Sequence, residues 1–107
     1  MENRRGYFYI LTNKRKSVFY SGSTQDLLTR VNAHRKGHQN GFTKKYNIRE
    51  LVCYEIFDSI REARDREREI KGWKRSRKLE FIESKNKEYQ DLYDKLLSDP
   101  SALRASG

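Results

Sequence analysis

The chain has one cysteine, Cys53, and no apolar run long enough to cross a membrane. A single thiol excludes an internal disulfide and leaves a cysteine zinc site without its second ligand. Cys53, inside "ELVCYEIF", therefore reads as a small buried strand residue. No lipidation signal is present, and "MENRRG" leads into no apolar stretch of signal-peptide length, so no membrane attachment is expected and the cytoplasm is the expected compartment. Internal repeats are also missing.

Apolar residues are scarce in general. Hydrophobic residues make up 35% of the 107 and charged residues 36%, which predicts one domain around a small core. The seven Tyr and five Phe are the first candidates to fill it. Positive charge is what the sequence has in excess: 24 Lys+Arg against 15 Asp+Glu leave a formal +9. Such a surface attracts a polyanion with salt-dependent strength, and nucleic acid is the leading partner class. An acidic membrane surface would call for a basic amphipathic helix or a lipid anchor.

The runs "YFYILTN" and "SVFYSG", separated by the basic "KRK", predict a β-hairpin. "STQDLLTRVNAHRKG" predicts a helix capped by Ser23 or Thr24, with Asp26 in its first turn and Gly37 as its stop. "HQNGFTKKYNI" reads as a loop and "RELVCYEIF" as a third strand. The segment "DSIREARDREREIKGWKR" predicts a long helix, with Ser59 and Glu62 at capping-box spacing and an end at Gly72. "SRKLEFIESK" and "EYQDLYDKLL" predict two shorter amphipathic helices, and residues 98–107 a loose tail after a single domain over 1–97. These elements make an α/β fold: a small, three-stranded, mainly antiparallel sheet flanked by helices.

Several polar residues fall on faces that should be apolar. Leu27, Arg30, Val31 and His34 follow i, i+3, i+4 and i+7, so one stripe carries two nitrogen-bearing side chains. A snorkelling arginine and a satisfied core histidine would explain them. In the long helix Ile60, Ala63, Glu67 and Ile70 share a face, while Glu62, Asp65 and Glu69 lie opposite. A carboxylate held against a core needs a cation or a metal. An internal salt bridge from Glu67 to Arg30 would satisfy that need; so would a polar phosphodiesterase pocket shared by Arg30, His34 and Glu67. In the hairpin an even loop, such as the four residues "NKRK", sets Tyr9 opposite Tyr20, either as a pair of phenols or as ordinary cross-strand packing, whereas an odd loop would put them on opposite faces. Gly22 suits a close approach of backbone to the next helix or to a ligand.

The pattern "YFYILTN...FYSGST...LLTRVNAH...EARDREREIKGWKR" resembles the GIY-YIG nuclease superfamily, in particular its small stand-alone bacterial members, from about Tyr7 to Tyr93. "YFY" stands at the first signature element and "YSG" at the second, so Tyr9, Tyr20 and Gly22 match. Arg30 and His34 match on the first helix, Glu67 on the long helix, and Asn86 in "NKEYQDLY". "GFTKKY", with Thr43, Lys44, Lys45 and Tyr46, is similar to a loop of the same subgroup. Tyr7 and Phe8 replace the Gly and Ile of the first element, Ser21 the Ile of the second, and Lys87 a usual proline.

The resemblance implies a divalent-metal-dependent endonuclease hydrolysing phosphodiester bonds, with DNA the expected nucleic acid. It gives Glu67 the role of ligand to one Mg²⁺ or Mn²⁺, a hard cation that takes few carboxylates. Tyr9 would be the general base, Tyr20 would orient water or phosphate, and Arg30 would clamp the phosphate through paired donors. His34 would either relay the proton from Tyr9 or contact phosphate. Asn86 would hold the pocket or the water network, and Lys44, Lys45 and Lys71 would track the backbone. The alternatives are a non-catalytic nucleic-acid-binding module on the same fold and, less favoured, a protein-interaction adaptor.

Overall fold

The computed structural model describes residues 5–37 and 41–103. Strand β1 (Gly6–Thr12) is buried along its whole length. Antiparallel strands β2 (Phe19–Thr24) and β3 (Glu50–Phe57) flank it in the order β2-β1-β3. A central strand covered on both faces needs large apolar side chains in both directions, which "YFYIL" supplies. Tyr7, Tyr9 and Leu11 pack on one face with Leu27, Val31, Ile48, Leu51, Leu96 and Ala102. Phe8 and Ile10 pack on the other with Val52, Cys53, Ile70 and Ile82. The expected three-stranded antiparallel sheet with flanking helices is therefore the fold.

Helix α1 (Leu27–Arg35) covers the first face. Its cap is Asp26, which accepts from the Thr29 amide. Ser23 and Thr24, expected to cap it, lie in β2 instead, because the strand runs on to Thr24. Past the helix, Gly37 takes φ +74 and donates to the His34 carbonyl, the left-handed stop that glycine adopts without strain. Helix α3 (Ile60–Lys71) lies on the opposite face, with Ser59 accepting from the Glu62 amide. It sits close because Gly6 has no side chain: a Cβ there would come within 2.5 Å of Ile60 Cα and of the Ser59 carbonyl oxygen.

The remaining elements are α2 (Gly41–Lys45), α4 (Arg75–Lys85), α5 (Tyr93–Leu97) and α6 (Pro100–Leu103). The outer edge of β3 is blocked by the chain after α4: the Leu51 amide donates to Asp91 Oδ1 and its carbonyl accepts from Leu92. Among the described residues no helix is long and apolar enough to cross a membrane.

Four local expectations change. The hairpin turn spans 13–18 rather than 13–16, since Asn13 Oδ1 accepts from the amides of Ser17 and Val18 and Lys16 turns at φ 59. Tyr9 consequently faces Gly22, and Tyr20 faces Leu11. The even loop still keeps both tyrosines on one side. The expected loop at 38–48 contains α2, anchored by buried Thr43 and Ile48, whose amide donates to the Thr43 carbonyl; 38–40 lie outside the described residues. The helix expected over 88–97 forms only from Tyr93, because Asn86 holds Gln90 in a turn where Tyr89 adopts φ 55. In the segment read as a loose tail, Pro100–Leu103 are helical and Ala102 joins the core, while 104–107 lie outside the described residues.

Candidate active site at the edge of strand β2

Three of the matched side chains form one aromatic cluster on the α1 face. Ring centroids are 6.4 Å apart for Tyr9–Tyr20, 6.2 Å for Tyr9–His34 and 5.6 Å for Tyr20–His34. Tyr9 is fully buried and His34 nearly so. Neither Tyr9 Oη nor either ring nitrogen of His34 has a hydrogen-bond partner. Buried polar atoms are usually paired, so these three are available to a ligand, water or proton; Tyr7 Oη, in the same cluster, is a fourth buried polar atom without a partner. His34 is thus buried without a protein partner for either ring nitrogen.

Electrostatics fixes the resting protonation. Burial pushes the Tyr9 phenol up to about 12, with Tyr20 and Glu67 adding to the rise and Arg30 opposing it. Arg30 is near enough to favour the phenolate, yet it does not meet Tyr9 Oη with hydrogen-bond geometry. Burial, reinforced by the Arg30 charge, lowers His34 to about 4. At neutral pH a protonated phenol thus adjoins a neutral imidazole.

Glu67 comes from the other face. It is not paired with Arg30: its Oε1 accepts from Ser23 Oγ at 2.6 Å and its Oε2 meets Lys71 Nζ at 2.6 Å. Its side chain is 21% exposed, so the carboxylate is held against the sheet but open to a cleft of about 340 Å³ lined by Ser23, Arg64, Glu67, Arg68 and Lys71. The two halves join at Gly22. This residue lies beside Ser23 on the edge strand and directly across from Tyr9, and a Cβ on it would stand 2.5 Å from Tyr9 Oη. The close approach expected at Gly22 is thus to the tyrosine ring. That gap lets the phenol reach the strand edge, where the Glu67 charge acts on it.

Glu67 and the neighbouring Ser23 hydroxyl are oxygen donors of the kind a hard divalent cation takes, in a cleft that Arg64, Arg68 and Lys71 also line. The Lys71 ammonium, its side chain 53% exposed, supplies the positive charge beside Glu67. No group of three or more His, Cys, Asp or Glu gathers among the described residues.

Of the remaining matched residues, Lys44 and Lys45 are exposed on α2. Asn86 is not brought to the cluster. It donates to the carbonyls of Val52 and Gln90 and accepts from the Gln90 amide, against the opposite edge strand. The expected pocket support from Asn86 is therefore not what its side chain does. Sequence reasoning missed Ser23, Arg64 and Arg68. Ser23 was traceable in principle, because alternation along β2 turns it to the α3 side, where Glu67 points.

This arrangement, on this sheet, is that of a nuclease-type domain. Residues 5–80 match the family model described as the GIY-YIG catalytic domain, and the chain belongs to that family. It is similar to a UPF0213 protein of Clostridium perfringens, 40% identical over 75% of this chain and 85% of the relative. Similar too are the UPF0213 protein YazA of Bacillus subtilis, 35% identical over 89% and 95%, and a UPF0213 protein of Haloquadratum walsbyi, 35% identical over 72% and 85%. No solved structure matches.

Proposed function

We propose that the protein is a divalent-metal-dependent endonuclease that hydrolyses phosphodiester bonds, with DNA as its substrate. The observation that carries this reading is the pairing, across the Gly22 gap, of an unpartnered Tyr9–His34 couple with the partly buried Glu67. A purely structural carboxylate and a packing tyrosine would have no reason to be set on neighbouring positions of a strand edge, one bonded to Ser23 and the other packed over Gly22.

In this mechanism Glu67 and Ser23 would hold the cation. Mg²⁺ or Mn²⁺, when bound, neutralises charge developing on the phosphoryl oxygens. Arg30 clamps the scissile phosphate, whose negative charge offsets the guanidinium that now disfavours a cationic His34. A phenol raised to about 12 is a poor source of phenolate. Tyr9 would therefore work as a relay, taking a proton from the attacking water as its own moves toward an imidazole nitrogen of His34; the two groups make no hydrogen bond to each other at rest, so a bridging water or closure of the rings completes the path. His34, lowered to about 4 by burial and then by Arg30, is neutral at neutral pH and a weak acceptor until the bound phosphate offsets the Arg30 charge. Tyr20 packs against both rings and orients them. Lys44, Lys45 and Lys71 meet flanking phosphates, which positions the chain without reading its sequence.

The test is cleavage of labelled DNA and RNA structures with Mg²⁺, Mn²⁺ or EDTA, by wild type and by Glu67→Ala. Metal-dependent cutting of DNA that the variant lacks, with nucleic-acid binding retained, is the expected result. Salt-sensitive binding by both proteins with cutting by neither would replace the nuclease by a binding module; cutting equal in both would assign it to a contaminant.

A further inference from the structure

The aromatic contacts do not stop at the buried cluster. Phe42 packs on Tyr20 with centroids 6.3 Å apart, and Tyr46 packs on Phe42 at 5.1 Å. The first two rings of the chain, Tyr9 and Tyr20, lie in the site; the last two are at the surface, Phe42 47% and Tyr46 39% exposed. A small protein with so few apolar residues gains nothing in stability from leaving half of a phenylalanine in water. Nor are these rings on a loose segment. Buried Thr43, between them in sequence, and the bond from the Ile48 amide to the Thr43 carbonyl fix α2 to the core. Positive charge surrounds them, with Lys44 exposed on the same helix and Lys45 Nζ 5.4 Å from the Tyr46 ring centroid.

We propose that Phe42 and Tyr46 form a stacking platform for unpaired bases, so that the strand presented to the site is single-stranded or locally melted. Exposed aromatic faces flanked by lysines bind single strands by stacking on bases while the cations follow the backbone. In a duplex the base faces are covered by their neighbours and out of reach of such a platform. The platform begins one ring away from Tyr20, so the base it holds belongs to a nucleotide within a few positions of the phosphate at Arg30. The substrate role of that strand rests on the nuclease reading above, but the platform itself is a binding feature and is tested without cleavage.

The experiment measures binding in EDTA of a fluorescein-labelled oligothymidylate and of a blunt duplex of the same length, by wild type and by Phe42→Leu/Tyr46→Leu. Both positions are exposed and leucine keeps apolar bulk, so folding is preserved. The variant is expected to bind the single strand about 5- to 100-fold more weakly while its duplex affinity and salt dependence stay unchanged. As an independent readout, Phe42→Trp should gain a fluorescence that the oligothymidylate quenches, beyond any change in wild type from Trp73. Unchanged single-strand binding, or an equal loss on both nucleic acids, overturns the proposal. So does a shift from dimer to monomer in the double variant with binding intact, which would assign the patch to a second copy of the chain. Loss of cleavage in Glu67→Ala bears on the nuclease reading alone.

Discussion

Gly22→Ala tests the join between the two halves of the site. The new methyl carbon would lie 2.5 Å from Tyr9 Oη and 2.6 Å from Tyr9 Cζ, distances that real side chains do not tolerate. A flexible surface ring would swing away. Tyr9 cannot, being fully buried between Tyr20 and His34. Either the ring shifts into its neighbours or β2 bows outward, at about 1–3 kcal/mol for overpacking a tight site. The reduced freedom of the unfolded chain returns about 0.4–1 kcal/mol of this. A net loss near 1–2 kcal/mol lowers the melting temperature of a domain this size by about 4–15 °C.

Urea and thermal unfolding of four proteins measure the effect: wild type, Gly22→Ala, Tyr9→Leu and the double variant. Leucine lacks the ring atoms that reach over Gly22, so the alanine should cost almost nothing in its presence, and the cycle should show a coupling of about 1–2 kcal/mol. Cleavage by Gly22→Ala, measured well below its melting temperature, should fall about tenfold or more because the phenol is displaced. A Gly22→Ala protein as stable as wild type, or one that loses the same amount in the Tyr9→Leu background, would refute the contact on which the site is built.

Two further outcomes follow from the same residues. His34 is lowered to about 4 by burial and Arg30, so between that value and its unfolded value of about 6.5 the unfolded chain binds the extra proton, and stability falls as pH is lowered. From about pH 7 to about pH 5 wild type should lose about 2 kcal/mol more than His34→Leu in denaturant titrations; parallel curves would refute the buried neutral imidazole. Asn86→Ala leaves the buried Val52 carbonyl without its side-chain donor and frees Gln90, which should cost about 1–3 kcal/mol yet leave cleavage by the folded protein near wild type; a selective loss of cleavage would return Asn86 to the site.

Each face of this sheet was legible in the sequence by its own period. The heptad-like spacing that sets Glu67 with Ala63 and Ile70 is a property of one helix, and the structure keeps it: Ala63 and Ile70 are buried while Glu62, Asp65 and Glu69 are exposed. The stripe of Leu27, Val31 and His34 is buried in the same way. What no single period could reveal is how the two faces meet, because that depends on hairpin register, and register was set by a capping side chain in the turn, Asn13, rather than by the strands. Moving the turn by two residues takes Tyr20 from opposite Tyr9 and puts Gly22 there. It also brings Ser23 opposite Phe8, on the side where α3 presents Glu67, so that a residue that looked like a helix cap is a partner of the carboxylate. The tail and α2 were missed for another reason: their apolar content is too small to show a period, and what orders them is burial of single residues, Ala102 and Thr43, beneath a core assembled from the rest of the chain. An arrangement that spans a sheet edge is therefore least visible at the glycine, which carries no side chain and no charge and yet decides how closely the buried Tyr9 ring can approach the strand whose next residue, Ser23, bonds Glu67.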